Sequence, residues 1–356
     1  MIKINQNISL KPYSTFYLEA KARFFTQLTN DDQIDEILEF IKQKNLPVHI
    51  LGEGSNTLFT KDYPGLISKI STKGKQIIKD TTDFVLVTFQ AGESWPDIVT
   101  WAVNNGFSGI ENLALIPGTI GAAPVQNIAA YGQSLSDTFY SLAAVNLETH
   151  QPQVFTKKDC HFSYRQSIFK QELANKYLIT SVTLKFLKQA SLETNYYSIG
   201  GRNDSLEIEL EKNATKPYTI KNVYSAVVAI RSRKLIDWTQ HPTVGSFFIN
   251  PEVSQQKYQQ LAAQIPNLQA YPAHDLKYSR NHQPSERVKI PVGRLLEELG
   301  WRGKQLGNCM VYQHNAAILT HNGKASGAEV LDFVTKIRQD VKTKYNISLE
   351  TEVNIL

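Results

Sequence analysis

Helix-period and strand-period stretches alternate along the first half of the chain. Ile34, Ile37, Leu38 and Ile41 recur at i, i+3, i+4 and i+7 behind Asn30-Asp-Asp32, which predicts an amphipathic helix over 30–45 with a clear start signal. Pro47 closes it, and Val48, Ile50 and Leu51 predict a short buried strand that runs into Gly52-Glu-Gly-Ser-Asn-Thr57, giving a β-α-β unit with a glycine-rich turn. Phe84 to Phe89 predicts a further strand. A helix then starts at Ser94, with Asp97 as a capping-box partner, Trp95, Ile98, Val99 and Ala102 on one face, and Gly106 as its end. From Tyr177 to Lys188 the pattern through Ile179, Val182, Leu184 and Phe186 is that of a strand.

Residues 189–221 are polar and predict a loop excursion between domains, a length usually tied to function. Beyond it the pattern predicts helices near 222–235 and 254–265 and one from Pro291 to Gly300. In the last helix Ser326 and Glu329 form a capping box, and Val330, Phe333, Val334, Ile337 and Val341 share the inner face.

Composition narrows the class. With 356 residues, 42% apolar and only 19 Gly and 14 Pro, the chain can bury the cores of two or three domains and is not a low-complexity scaffold. The longest apolar run, Ala226 to Ile230, has five residues, against the roughly 20 needed to cross a bilayer. The start Met1-Ile-Lys-Ile-Asn-Gln-Asn has no secretory pattern, so a cytoplasmic location is expected. Cys160 and Cys309 are too few for a disulfide framework or a thiolate metal site, though one disulfide between them stays open. The net charge of +5 permits anionic partners, but the densest basic stretch, Arg231-Ser-Arg-Lys234, falls short of a nucleic-acid stripe. Small anions such as nucleotides fit better.

Five segments are candidates for chemistry. Gly52-Glu-Gly-Ser-Asn56 follows a strand and can present successive backbone N–H groups to a phosphate, although it is neither GxGxxG nor a Walker loop. Ile116-Pro-Gly-Thr-Ile-Gly-Ala-Ala-Pro-Val-Gln-Asn127 is dominated by small side chains against which a flat ligand can lie. Arg165, within Tyr164-Arg-Gln-Ser-Ile-Phe169, sits among aromatic and aliphatic neighbours where a guanidinium needs an anion or a full set of hydrogen bonds. In Leu349-Glu-Thr-Glu-Val353 two carboxylates at i and i+2 face one side of a strand. Ser246, in Gly245-Ser-Phe-Phe-Ile-Asn-Pro251, lacks the setting of a nucleophile elbow. None of the eight histidines forms HExxH, and no metal is expected.

Together with Tyr13-Ser-Thr-Phe16, these segments in this order resemble the UDP-N-acetylenolpyruvoylglucosamine reductase (MurB) family of flavoenzymes, over nearly the whole chain. The 189–221 excursion resembles the family's form with an extra tyrosine-bearing loop. The resemblance implies an α+β protein with a vanillyl-alcohol-oxidase-type (PCMH-type) FAD-binding fold: two α/β subdomains, 1–70 with 344–356 and 71–225, plus an α+β substrate-binding domain, 226–343.

It further implies non-covalent FAD, NADPH as co-substrate, a sugar-nucleotide substrate and a monomer. Carried over by position, Arg165 would stabilise the charge formed when an enolpyruvyl ether accepts hydride from reduced FAD. Glu352, protonated, would donate a hydrogen bond to that charge, and Ser246 would deliver the proton. Gly52, Glu53, Gly54, Ser55, Asn56 and Thr57, with Pro117, Gly118, Thr119, Gly121, Ala122, Ala123 and Val125, would hold FAD. Tyr197, or equally Tyr196, with Lys234 and Asn250 would meet the substrate. Glu53 is a carboxylate beside the expected pyrophosphate, so its side chain has to point away.

Overall fold

A 3-10 turn over Asp31–Gln33 leads into the helix Ile34–Lys44, with Asn30 and Gln33 exchanging side-chain bonds as a capping box and Asn45 ending it at φ 47°. Its buried face, Ile34, Ile37 and Leu38, packs on a four-stranded sheet in the order Asn5–Ser9, Lys21–Leu28, Tyr63–Ile70, Val48–Leu51. The first strand is antiparallel to its neighbour and the other pairs are parallel, as β-α-β connections require. The computed structural model describes residues 2–194, 205–273 and 286–356 of this chain.

A second, antiparallel sheet runs Pro152–Thr156, Phe139–Asn146, Tyr177–Leu187, Phe84–Gln90, Lys75–Asp80. The helix Trp95–Asn104 covers it, but the expected capping box between Ser94 and Asp97 does not form. Instead the Trp95 N–H donates to the Gly118 carbonyl at 2.9 Å, so a tertiary contact with the second glycine-rich loop satisfies a helix-end donor that local sequence cannot.

The polar stretch 189–221 is not all loop. Ser205–Asn213 is helical: Leu206 and Leu210, four apart and therefore on one face, are buried, and Glu209 pairs with Arg233. The next helix, Ile220–Lys234, starts at a Thr219–Asn222 capping box. Its Val223, Ala226, Val227 and Ile230 belong to the same core as Val85, Phe89 and Trp95. The boundary expected at 225 falls inside this helix, which lies against the helices Ser205–Asn213 and Trp95–Asn104 and the turn Glu111–Leu113.

The remaining chain forms two small three-stranded sheets and the capped helix Gly327–Tyr345. They share a core with Phe16, Leu18 and Leu58 from the first body. Asn354–Ile355 pairs in parallel with Thr57–Leu58, so early and late segments meet. Cys160 and Cys309 are buried free thiols in separate cores. Among the described residues, no helix is long and apolar enough to cross a membrane, and no three His, Cys, Asp or Glu side chains could hold a metal ion.

Candidate active site

The two glycine-rich loops lie against each other, joined by three bonds. Glu53 Oε2 accepts from the Gly118 N–H at 3.0 Å, Ser55 Oγ donates to the Pro117 carbonyl at 3.2 Å, and Asn56 Nδ2 donates to Gln126 Oε1 at 2.7 Å. The Glu53 carboxylate is thereby committed to an N–H of the neighbouring loop. Close approach explains the glycines: a Cβ at Gly54, where φ is +68°, would fall 2.0 Å from the Tyr13 carbonyl oxygen, and one at Gly52 would fall 2.8 Å from Thr119 Oγ1. Tyr13-Ser-Thr-Phe16 also ties the loops to the third body, since Ser14 Oγ donates to the Thr57 carbonyl at 2.8 Å and the Thr243 N–H donates to the Thr15 carbonyl at 2.9 Å.

Arg165 stands at the tip of a tight turn closed by reciprocal Ser163–Gln166 backbone bonds of 3.1 and 3.3 Å. The turn is fastened to the second loop on both sides: Asn127 Nδ2 donates to the Ser163 carbonyl at 3.2 Å and Ser167 Oγ to the Val125 carbonyl at 2.7 Å. Arg165 itself has φ 56°, a conformation that non-glycine residues hold only when their surroundings over-determine it. Its Nη1 donates to the Ala129 carbonyl at 3.1 Å, and its Nε lies 3.0 Å from Glu352 Oε1. An interior guanidinium thus has both a counter-charge and a fixed direction.

Glu352 is held equally firmly. Its N–H donates to the Phe247 carbonyl at 2.9 Å, and its own carbonyl accepts from Asn56 Nδ2 at 3.3 Å and from Lys170 Nζ at 3.2 Å. Phe248 bridges Thr351 in the same antiparallel pairing, so Ser246 sits on the strand next to Glu352. The Ser246 side chain is exposed.

A cavity of about 630 Å³ runs along both loops and is lined by every loop residue expected to hold FAD, together with Lys170, Thr351 and Val353. A second, of about 830 Å³, is lined by Tyr164, Asn250 and Glu350 among others. The strand bearing Glu352 therefore contributes Glu350 to one cavity and Thr351 and Val353 to the other. The first cavity suits a dinucleotide: both glycine-rich loops line it, with the amide groups of Asn56 and Gln126 and the rings of Trp95, Phe169 and Tyr177.

His49 also lines the first cavity, and its pKa is pushed down to about 4 by burial, against a hydrogen bond with Asn175 that acts upward. The unfolded chain takes up a proton near 6.5 that the native state refuses until about 4. Native stability is therefore expected to fall as pH drops through that window, by up to about 1.4 kcal/mol per pH unit from this group. Denaturant titrations at several pH values should show a shallower slope for His49→Leu than for the natural chain; parallel slopes would refute the assignment.

Asn250 lines the second cavity while its Oδ1 accepts from the Val292 N–H at 2.9 Å, capping the helix Val292–Glu298. Lys234 is exposed at the end of its helix and lines neither cavity. Tyr196 and Tyr197 lie outside the described residues. Sequence reading overlooked Lys170 and His49. Lys170 stands one position past the Tyr164 to Phe169 motif, which was the available signal; His49 lies in a strand, where nothing local betrays its burial.

Residues 22–149 match the FAD binding domain family, and residues 237–356 match the family described as UDP-N-acetylenolpyruvoylglucosamine reductase, C-terminal domain. The chain is 40% identical over 356 residues to the UDP-N-acetylenolpyruvoylglucosamine reductase of Flavobacterium johnsoniae, covering 100% of both. It is 35% identical over 354 residues to that of Pseudomonas aeruginosa, covering 99% of both. Among solved structures it resembles the UDP-N-acetylenolpyruvylglucosamine reductase of Thermus caldophilus, with TM-score 0.65 and 19% identity, covering 100% of this chain and 99% of that one. A solvent-stable cholesterol oxidase shares the fold at TM-score 0.53 and 10% identity, covering 99% of this chain and 87% of the other.

Proposed function

The chain belongs to the UDP-N-acetylenolpyruvoylglucosamine reductase family, and from that membership we propose how its own residues carry the reaction. It is an FAD-containing, NADPH-dependent reductase of the vanillyl-alcohol-oxidase-type fold. It converts UDP-N-acetyl-3-O-(1-carboxyvinyl)-glucosamine to UDP-N-acetylmuramate for peptidoglycan synthesis. Bound FAD supplies a two-electron relay between NADPH and the vinyl group.

In the proposal the two loops hold FAD in the first cavity and the sugar nucleotide enters the second. Arg165 stands between them as a preorganised cation for the charge that develops beside the substrate carboxylate. Its hydrogen bond to Ala129 and its ion pair with Glu352 support this role, because they hold the guanidinium in place before substrate arrives. Glu352 adds a hydrogen bond to the same charge: the substrate carboxylate would replace it as counter-anion on Arg165, the released carboxylate would take up a proton from solvent, and the acid would then donate. Ser246, on the adjacent strand, delivers the proton to carbon; the carbanionic centre is far more basic than a hydroxyl, so placement matters more than the resting acidity of the serine. Asn250 keeps its amide NH₂ for the diphosphate while its Oδ1 caps a helix; a substrate role for Lys234 and for Tyr197, or equally Tyr196, stays part of the proposal on the family resemblance alone. Action as a monomer in the cytoplasm belongs to the same proposal.

The observation that carries this reading is the Arg165–Glu352 contact, whose chain neighbours Tyr164, Gln166 and Glu350 line the second cavity and Thr351 and Val353 the first. NADPH oxidation by the purified protein is expected to depend on the enolpyruvyl sugar nucleotide. Equal rates with and without it would reject the reductase, and colourless protein that releases no flavin on denaturation would reject the flavin site.

A further inference from the structure

We propose that the Lys170 ammonium raises the reduction potential of bound FAD by stabilising the negative charge that reduction leaves on its ring system. The inference rests on the FAD reading of the first cavity and adds a residue to it. Lys170 is rigidly placed. It ends the 3-10 turn Ile168–Lys170, in which Ser167 accepts from the Phe169 N–H, while the Ser167 hydroxyl is bonded to the Val125 carbonyl of the second loop. Phe169 is buried with its ring centroid 5.0 Å from that of Phe155.

The direction of the side chain decides which part of FAD it can meet. Lys170 Nζ donates to the Glu352 carbonyl at 3.2 Å, the same oxygen that accepts from Asn56 Nδ2. The ammonium therefore lies at the Asn56 end of the cavity, beside the Arg165–Glu352 pair. The Glu53–Gly118 and Ser55–Pro117 bonds mark the other stretch of the loops, where a pyrophosphate belongs. In the proposed mechanism hydride would pass to a substrate met by Arg165 and Glu352, so Lys170 would face the ring system rather than the pyrophosphate.

Charge arithmetic supplies the function. Hydride from NADPH carries two electrons and one proton; NADP⁺ departs, and the neutral oxidised ring becomes a ring bearing one negative charge. An ammonium in a partly buried cavity stabilises that product over the oxidised form. The three donors of an ammonium are engaged here through one contact to a neutral carbonyl. Burial lowers the Lys170 pKa, the Glu352 and Glu350 carboxylates act to raise it, and Arg165 acts to lower it, a setting in which an added anion is welcome.

The test is the midpoint potential of FAD in the holoenzyme, measured by reductive titration against a reference dye. Lys170→Met is expected to disfavour the reduced form about tenfold, a shift of about 30 mV to more negative potential for a two-electron couple, with Lys170→Arg close to the natural chain. Sulfite, which adds to oxidised flavin and leaves the same negative charge, should bind the Lys170→Met holoenzyme about tenfold more weakly than the Lys170→Arg one. Unchanged potential and unchanged sulfite affinity in Lys170→Met would overturn the inference. If Lys170→Met does not retain flavin, Lys170→Gln takes its place under the same criteria. Failure of the flavin reading itself is distinguishable, since the natural chain would then be colourless.

Discussion

Ser246→Ala is expected to leave the reduction of bound FAD by NADPH nearly unchanged while slowing turnover of the enolpyruvyl substrate roughly 10²–10⁴-fold, the range supplied by a positioned proton donor. The two half-reactions separate because the hydroxyl has work only where a carbon must be protonated. The site supports this division. Ser246 is exposed and sits one residue before Phe247, whose carbonyl holds the Glu352 N–H at 2.9 Å, so removing one oxygen leaves the strand pairing and both loops intact. Stopped-flow absorbance of the flavin, first with NADPH and then with the sugar nucleotide added to reduced enzyme, reads the steps apart. Equal losses in both would remove Ser246 from the proton-donor role.

Arg165→Met is expected to cost about 10²–10³-fold in the reoxidation of reduced enzyme by substrate, comparable to losing one preorganised donor aimed at developing charge. Arg165→Lys should recover little of it. The guanidinium reaches the Ala129 carbonyl through Nη1 and Glu352 through Nε, and a single ammonium on a flexible stem does not span both with a fixed direction. The same single-turnover measurement decides the matter. A Lys variant within a few-fold of the natural chain would mean that charge alone suffices and that the fastening of the Arg165 turn to the second loop serves only stability.

Much of this site was legible in the sequence because its parts are local. The helix Gly327–Tyr345 followed from a capping box and a 3.6-residue pattern, since both signals lie within the segment they organise. The two loops were legible as small-residue stretches, and their order along the chain carried the family resemblance. What could not be read was whatever depends on a partner far away. Ser94 and Asp97 have the spacing of a cap, yet no side-chain cap forms, and the helix start is held instead through the Trp95 N–H on the Gly118 carbonyl. Ser205–Asn213 looked like charged loop because its apolar residues, Leu206, Ile208 and Leu210, alternate with glutamates, and only the neighbouring helix Ile220–Lys234 selects the face bearing Leu206 and Leu210. Glu53 seemed hostile to a pyrophosphate until the Gly118 N–H was found to hold its carboxylate.

The pairing of Asn354–Ile355 with Thr57–Leu58 bears on biosynthesis. Asn56 emerges early from the ribosome, yet the carbonyl of Glu352 that its amide holds belongs to a residue 296 positions later. At 5–20 residues per second that interval lasts about 15–60 s. Throughout it, the first glycine-rich loop exists without the strand that completes its cavity, and for its later part Arg165 exists without its carboxylate. A growing chain therefore carries its glycine-rich loops before the carboxylate that completes the site, and competence to reduce anything has to wait until Glu352 has been added.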